Sequence, residues 1–191
     1  MNFTEIVAEV TTITQRPDLI LHARRAVNSA VNFFCVEANF ARDLSEDAFT
    51  VSESEYIHSI ALSEFERFRK FRYIKPATHN CMVNAISPED IFKGGQQAKN
   101  CYYIVGSEVK INLPYLTPEL LIGWFQYPPI LTDLEPDFWL LEVSPFMIID
   151  KAAATIFRQI GQNQESGVHE QSAAMAFTSA RRDYKYGVDF G

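Results

Sequence analysis

The chain has 191 residues and a formal net charge of −7, with 47% hydrophobic and 13% aromatic residues. This composition is too apolar for a disordered chain, and no apolar run reaches the roughly 20 residues that a transmembrane helix needs. The negative net charge disfavours general nucleic-acid binding, which requires a basic face. It does not exclude a local basic patch on the surface.

Cysteine usage and the first residues indicate a cytoplasmic protein. Cys35, Cys81 and Cys101 are odd in number and widely spaced, so we expect reduced structural thiols rather than disulfides. The opening sequence MNFTEIVAEVTTIT carries an acid early and lacks the basic and apolar segments of a secretory signal.

Two helices are predicted at the start of the chain. Asn2 and Glu5 have the spacing of a capping box, and apolar residues then recur at helical intervals as far as Thr14. Pro17 marks the start of a second helix over about 17–40. Its apolar stripe is rich in alanine, which permits close approach of another helix, and consists of Leu19, Ala23, Ala26, Val27, Ala30, Val31, Phe34 and Ala38.

The middle of the chain is predicted to be rich in β-strands. Residues 43–55 form an acidic loop or edge strand, and EYIHSIAL alternates as a strand with Tyr56, His58 and Ile60 on one side. The sequence ISPEDIF begins with a serine cap and a first-turn proline, and so predicts a short helix over 88–93 that ends at the following glycine pair.

The stretch CYYIVGSEVKI predicts a β-hairpin over 102–111. Gly106-Ser107 matches a two-residue type II′ turn, whose first central position requires glycine, and this turn sorts the side chains onto two faces. The face assigned to the core contains Tyr102, Ile104, Val109 and Ile111, and the face assigned to outside contacts contains Tyr103, Val105, Glu108 and Lys110. Residues 120–127 predict a third strand, which we expect to join the hairpin.

Two further helices are predicted after an acidic, aromatic connection. The first ends at Gly161, and the last, over roughly 164–184, has a weak stripe of Val168, Ser172, Met175, Ala176 and Ser179. The whole is an α+β fold in a single domain, with helical segments at 1–40 and 131–185, a small antiparallel β-rich insertion at 41–130 and an extended tail at 186–191.

The sequence contains no motif for catalysis, for a cofactor or for a metal. Its four histidines are scattered, and His79 and Cys81, two positions apart, lack a third group that would make them a base and a nucleophile. The carboxylates Asp133, Glu135 and Asp137 precede two aromatic residues, which leaves open a hydrolase that uses a pair of acids. Acidic loops are common, so we expect no catalytic residue, no cofactor and no metal.

The strongest chemical signal is a segment in which basic and aromatic residues are interleaved. It contains Arg67, Arg69, Lys70, Arg72 and Lys75 among Phe65, Phe68, Phe71 and Tyr73. Such a segment can bind nucleic acid, or it can be a strand with Phe71 and Tyr73 toward the core and a solvated basic rim. It can also contact the acidic 43–55 segment of a neighbouring copy, as head-to-tail rings allow, and we favour this third interpretation.

The order of these signals resembles that of the head-to-tail adaptor proteins of tailed bacteriophages, also called connector or head-completion proteins. The similarity spans nearly the full chain, and it depends on the order of motifs that are individually loose. The motifs are FTEIVAEVTTITQRPDL, FRKFRYIKP, ISPEDIF, CYYIVGSEVKI, GWFQYPP and AAATIFRQIG.

The resemblance implies a structural virion protein rather than an enzyme. Such proteins form a homo-oligomeric ring, usually of twelve copies, that joins the portal protein to the next tail or nozzle protein and surrounds the DNA without reading its sequence or binding a membrane. It implies a location in the virion neck after synthesis in the host cytoplasm. The tail, with Tyr184, Tyr186, Val188 and Phe190, would dock on the portal, and the β insertion would face the tail. Some short-tailed-phage relatives are credited with cell-wall cleavage, but no motif for that activity is found here.

Overall fold

The computed structural model describes residues 1–79, 81–92 and 98–184 and divides the chain into two compact units. The helical unit consists of Met1–Asp43 and Tyr127–Gly191, and the sheet unit consists of Leu44–Gln126. Helices and antiparallel strands together confirm the predicted α+β fold class.

The helical unit contains five α-helices among the described residues: α1 (Phe3–Thr14), α2 (Ile20–Ala38), α3 (Trp139–Val143), α4 (Pro145–Gln159) and α5 (Asn163–Tyr184). The capping box of α1 is confirmed, because Asn2 Oδ1 accepts a hydrogen bond from Glu5 N at 3.0 Å and the Glu5 carboxylate accepts one from Asn2 N at 2.9 Å. The short helix α3, which the sequence did not predict, buries Leu140 and Leu141.

Helices α2 and α4 form the centre of this unit, and the predicted stripe of α2 is confirmed. Every residue of the α2 stripe after Leu19 is buried, as are Ile148, Ile149, Ala152 and Ile156 of α4. Gly161 has a φ of 79°, a left-handed conformation that ends α4.

The weak stripe predicted for α5 does not mark the buried side of this helix. Val168 and Met175 are 62% and 69% exposed, whereas the buried side contains Ser166, Ala173 and Ala180. Small residues on this side let α5 lie against α4, and Ser166 Oγ donates a 2.9 Å hydrogen bond to the carbonyl of Ala154. Close packing therefore selected the small residues rather than the most apolar ones.

The sheet unit contains two sheets built from β1 (Leu44–Thr50), β2 (Ile57–Ala61), β3 (Phe68–Pro76), β4 (Asn84–Ala85), β5 (Cys101–Val105), β6 (Glu108–Asn112) and β7 (Glu119–Gln126). The first sheet has the order β1-β7-β3 and is antiparallel throughout. The second has the order β2-β6-β5-β4, in which β4 runs parallel to β5.

The predicted hairpin and its register are confirmed. Val105 pairs with Glu108 and Tyr102 with Ile111, and Gly106 has a φ of 60° at the first position of the turn. The third strand does not join it, because β7 lies between β1 and β3 in the other sheet. A strand that is apolar on both faces suits this central position.

One core assignment in the hairpin is also wrong. Ile104 is 40% exposed, although Val109 and Ile111 on the same face are fully buried. The reason lies in the sheet order: β4 covers β5 only at Cys101 and Tyr102, so Ile104 lies on an open edge near the turn.

The predicted helix over 88–93 is a 3-10 turn at Pro88–Asp90, and Ser87 makes no side-chain cap. Gly94 and Gly95, which were expected to end it, lie outside the described residues. Over the part of the chain that is described, no helix has the length and hydropathy needed to cross a membrane.

Candidate functional site

The sheet formed by β1, β7 and β3, here called the charged sheet, has outer strands of opposite charge. β1 carries Glu46 and Asp47 and no basic residue. β3 carries four basic residues and no acid: Arg69, Lys70, Arg72 and Lys75. Because β7 alone separates them, the two charged edges are about 10 Å apart, twice the usual strand spacing.

A glycine at the centre of the charged sheet positions an aromatic ring. Gly123 of β7 lies opposite Glu46 on one side and Tyr73 on the other. A Cβ atom at Gly123 would stand only 2.6 Å from Tyr73 Cζ, so the missing side chain leaves the space that the tyrosine ring occupies.

Two of the basic side chains of β3 pack on a buried ring. The guanidinium of Arg69 and the ammonium of Lys70 lie 5.3 and 5.6 Å from the centroid of Phe125. Burial lowers the pKa of Lys70, and the neighbouring charges of Arg69 and Arg72 lower it further. The strand thus gathers positive charge at one edge, where an incoming acid would be favourable.

Phe65, Phe68 and Phe71, interleaved with these bases, pack in the core, whereas Tyr73, which was also expected to face the core, lies over Gly123 on the other face of the sheet. Phe65 is 2% exposed, its ring centroid lies 5.2 Å from that of Trp124, and it also contacts Phe68 and Phe71. Rings engaged in a core do not provide an open stacking platform for bases, which weakens the nucleic-acid interpretation and leaves phosphate contact as its remaining basis.

Both outer strands carry features that oppose regular strand addition. The register of β3 shifts between Phe68 and Lys70 and again between Phe71 and Tyr73, and the carbonyl of Ile74 accepts a 2.9 Å hydrogen bond from the backbone N–H of Val83. Bulges and charged residues are the usual means of preventing edge-to-edge pairing of backbones. Any partner of this sheet therefore meets side chains.

A scan of the sequence against protein-family models gives no match, and a search of curated proteins gives none either. The function of the charged sheet therefore has to be inferred from its own residues.

Some side chains on the outward face predicted for the hairpin form polar contacts with one another and with β2. Lys110 Nζ lies 2.6 Å from both Glu108 Oε2 and Ser59 Oγ, while Val105 is 49% exposed. Tyr103 on the same face is half-buried.

The predicted portal-docking residues fall at the end of the described chain. Tyr184 is the last residue of α5, and Tyr186, Val188 and Phe190 lie outside the described residues.

Asp133, one of the carboxylates of the hydrolase alternative, is engaged by neighbouring side chains. Asp133 makes a 2.7 Å ion pair with Arg24 and accepts a hydrogen bond from Thr4, and the hydrogen bond from Arg24 lowers the pKa of Asp133. A general acid requires the opposite shift. Glu135 and Asp137 are exposed.

The side chains of His79 and Cys81 form hydrogen bonds with different residues. His79 Nδ1 lies 2.8 Å from Thr78 Oγ1, and its ring stacks on Tyr115 at 3.7 Å. Cys81 Sγ lies 2.7 Å from Tyr115 Oη, and burial, aided by this hydrogen bond, raises the pKa of Tyr115 to about 12. These contacts do not arrange the histidine as a base for the thiol.

A polar network between α4 and α5 was missed by the sequence analysis. Asp150 Oδ1 lies 2.7 Å from His169 Nδ1, and Asp150 Oδ2 accepts a 2.6 Å hydrogen bond from Ser172. Lys151 pairs with Glu170 in the adjacent turn. The i, i+3 spacing of His169 and Ser172 was visible, but their partner helix was not. The network aligns the two helices, and no group of three or more potential metal ligands occurs among the described residues.

Proposed function

We propose that this chain is the structural subunit of a ring that joins the portal vertex of a bacteriophage capsid to its tail and surrounds the DNA path. The observation that carries the proposal is the charged sheet, with an acidic strand at one edge and a basic strand at the other. Two acidic edges repel each other, as do two basic edges, so identical copies associate with unlike edges together. Repetition of such a head-to-tail contact produces a ring or a filament.

Two further observations support this function. The order of motifs along the sequence resembles that of head-to-tail adaptor proteins, as described above. The net charge of −7 suits a channel that must release its DNA, because a strongly basic wall would bind phosphate tightly. On this proposal the partners are about eleven further copies, the portal protein and the next tail protein, and the ring is located in the virion neck.

The test is assembly with the portal protein of the same virus, followed by electron microscopy. The full chain is expected to add a ring of density to portal particles, and a variant that lacks residues 185–191 is expected to lose this attachment while retaining α5. The matched control replaces those residues by a Gly/Ser segment of equal length. Failure of the full chain to associate with the portal would refute the proposed function, and attachment by the truncated variant would refute the docking role of the tail.

A further inference from the structure

We infer that neighbouring copies in the ring meet through side chains across the charged sheet, with Glu46 of one copy received between Lys70 and Lys75 of the next. This inference rests on the proposed function, since it names the contact by which the ring would close. It concerns ion pairs between the outer strands and not a continuous sheet.

Charged side chains on both outer strands are available to a partner. Within the described part of the chain, Glu46, Asp47, Lys70 and Lys75 form no ion pair. Glu46, Asp47 and Lys70 are exposed, and Lys75 is half-buried. These four side chains can therefore pair with charges from outside without breaking an existing ion pair.

The two edges of the charged sheet differ in the sign of their charge. Charged residues on outer strands ordinarily keep sheets apart, and like charges on both edges would do this best. This sheet has unlike charges on its edges, so the same residues that block backbone pairing favour a second copy in one direction only. A small ligand would need only one of the edges, whereas a second copy uses both.

The charged side chains of the two edges also correspond in their position along the strands. Along β7, Glu46 is level with Gly123, while Lys70 is level with Phe125 and Lys75 with Leu121. Positions two residues apart lie on one face of a strand, so all three charged side chains project on the same face of the charged sheet. A copy displaced sideways in the plane of the sheet would bring its Glu46 to a level midway between the two lysines, the level of Tyr73, whose ring lies over Gly123.

The experiment uses charge reversal in full-length chains. Glu46→Lys with Asp47→Lys reverses the acidic edge, and Lys70→Glu with Lys75→Glu reverses the basic edge. Each reversal alone is expected to weaken self-association, measured by sedimentation at low ionic strength and high protein concentration, by about tenfold or more. A chain that carries both reversals regains opposite charges and is expected to recover association. Glu9→Lys, an exposed reversal on α1, is the matched control and should have no effect.

Recovery in the doubly reversed chain would show that the four substitutions together are compatible with folding. Equal association of all variants, or no concentration-dependent association of the unchanged chain, would overturn the inference. Lys70→Glu with Lys75→Glu could instead abolish salt-dependent binding of a short DNA duplex and leave self-association intact. The basic strand would then be a DNA contact, and the inference would be wrong. Rings that form on the portal with every variant would overturn this contact while leaving the proposed function standing.

Discussion

A buried histidine in the sheet unit makes the stability of this protein depend on pH. His58 lies on β2 opposite Ile111 and is 4% exposed. Within the described residues its Nε2 atom has no hydrogen-bond partner. Burial lowers the pKa of His58 below its ordinary value of 6.5, and the negative charge of Glu55 opposes this only in part.

The size of the effect follows from these observations. A buried polar group without a partner costs about 1–3 kcal/mol, so His58→Leu should raise the free energy of unfolding by about 1 kcal/mol at neutral pH after some loss of fit. Because the folded state holds the proton less tightly than the unfolded state, acid favours unfolding. Below pH 6.5 the unchanged protein should lose up to about 1.4 kcal/mol per pH unit until the folded pKa is reached.

Urea unfolding at pH 7.5 and pH 5.5 measures both quantities. The advantage of His58→Leu over the unchanged chain should be present at the higher pH and should grow at the lower one. His22→Gln removes an exposed histidine from α2 and is the matched control for losing one imidazole. A His58→Leu protein that is less stable at pH 7.5, or that loses as much stability in acid as the unchanged chain, would refute the reasoning.

Two other substitutions test local packing and capping. Gly123→Ala should lower the free energy of unfolding in urea by about 1–3 kcal/mol, because its Cβ would clash with the Tyr73 ring. Gly167→Ala on α5 has open space and should raise the free energy of unfolding by up to about 1 kcal/mol through helix propensity. Similar effects at the two sites would contradict the clash. Asn2→Ala should cost about 1 kcal/mol in thermal unfolding by removing the cap of α1, while Asn2→Asp should retain most of it, so equal losses would argue against the capping box.

Features encoded by a few neighbouring residues could be predicted reliably. Asn2 and Glu5 are three positions apart and satisfy each other's backbone groups, and Gly106 alone permits the turn that sets the hairpin register. The buried stripe of α2 likewise follows from apolar residues that recur at helical spacing within one segment. In each case the partners lie within a turn or two of the chain, so their spacing specifies the geometry.

The candidate site depended on pairings that spacing does not specify. The sequence showed an acidic segment and a basic segment, but only the fold places both of them beside β7 as the two edges of one sheet. Likewise, only the fold shows that β7 pairs with β1 instead of the hairpin and that Asp150 contacts His169.

By itself, the sequence determined the α+β class, the two N-terminal helices, the hairpin and the separation of charge into an acidic and a basic segment, because these depend on local backbone preferences and periodicity. The tertiary structure decided which strands are neighbours, which side of α5 is buried and where the charges face. Those outcomes depend on packing between distant segments, since a strand apolar on both faces such as β7 has to be buried on both of them, which suits the interior of a sheet.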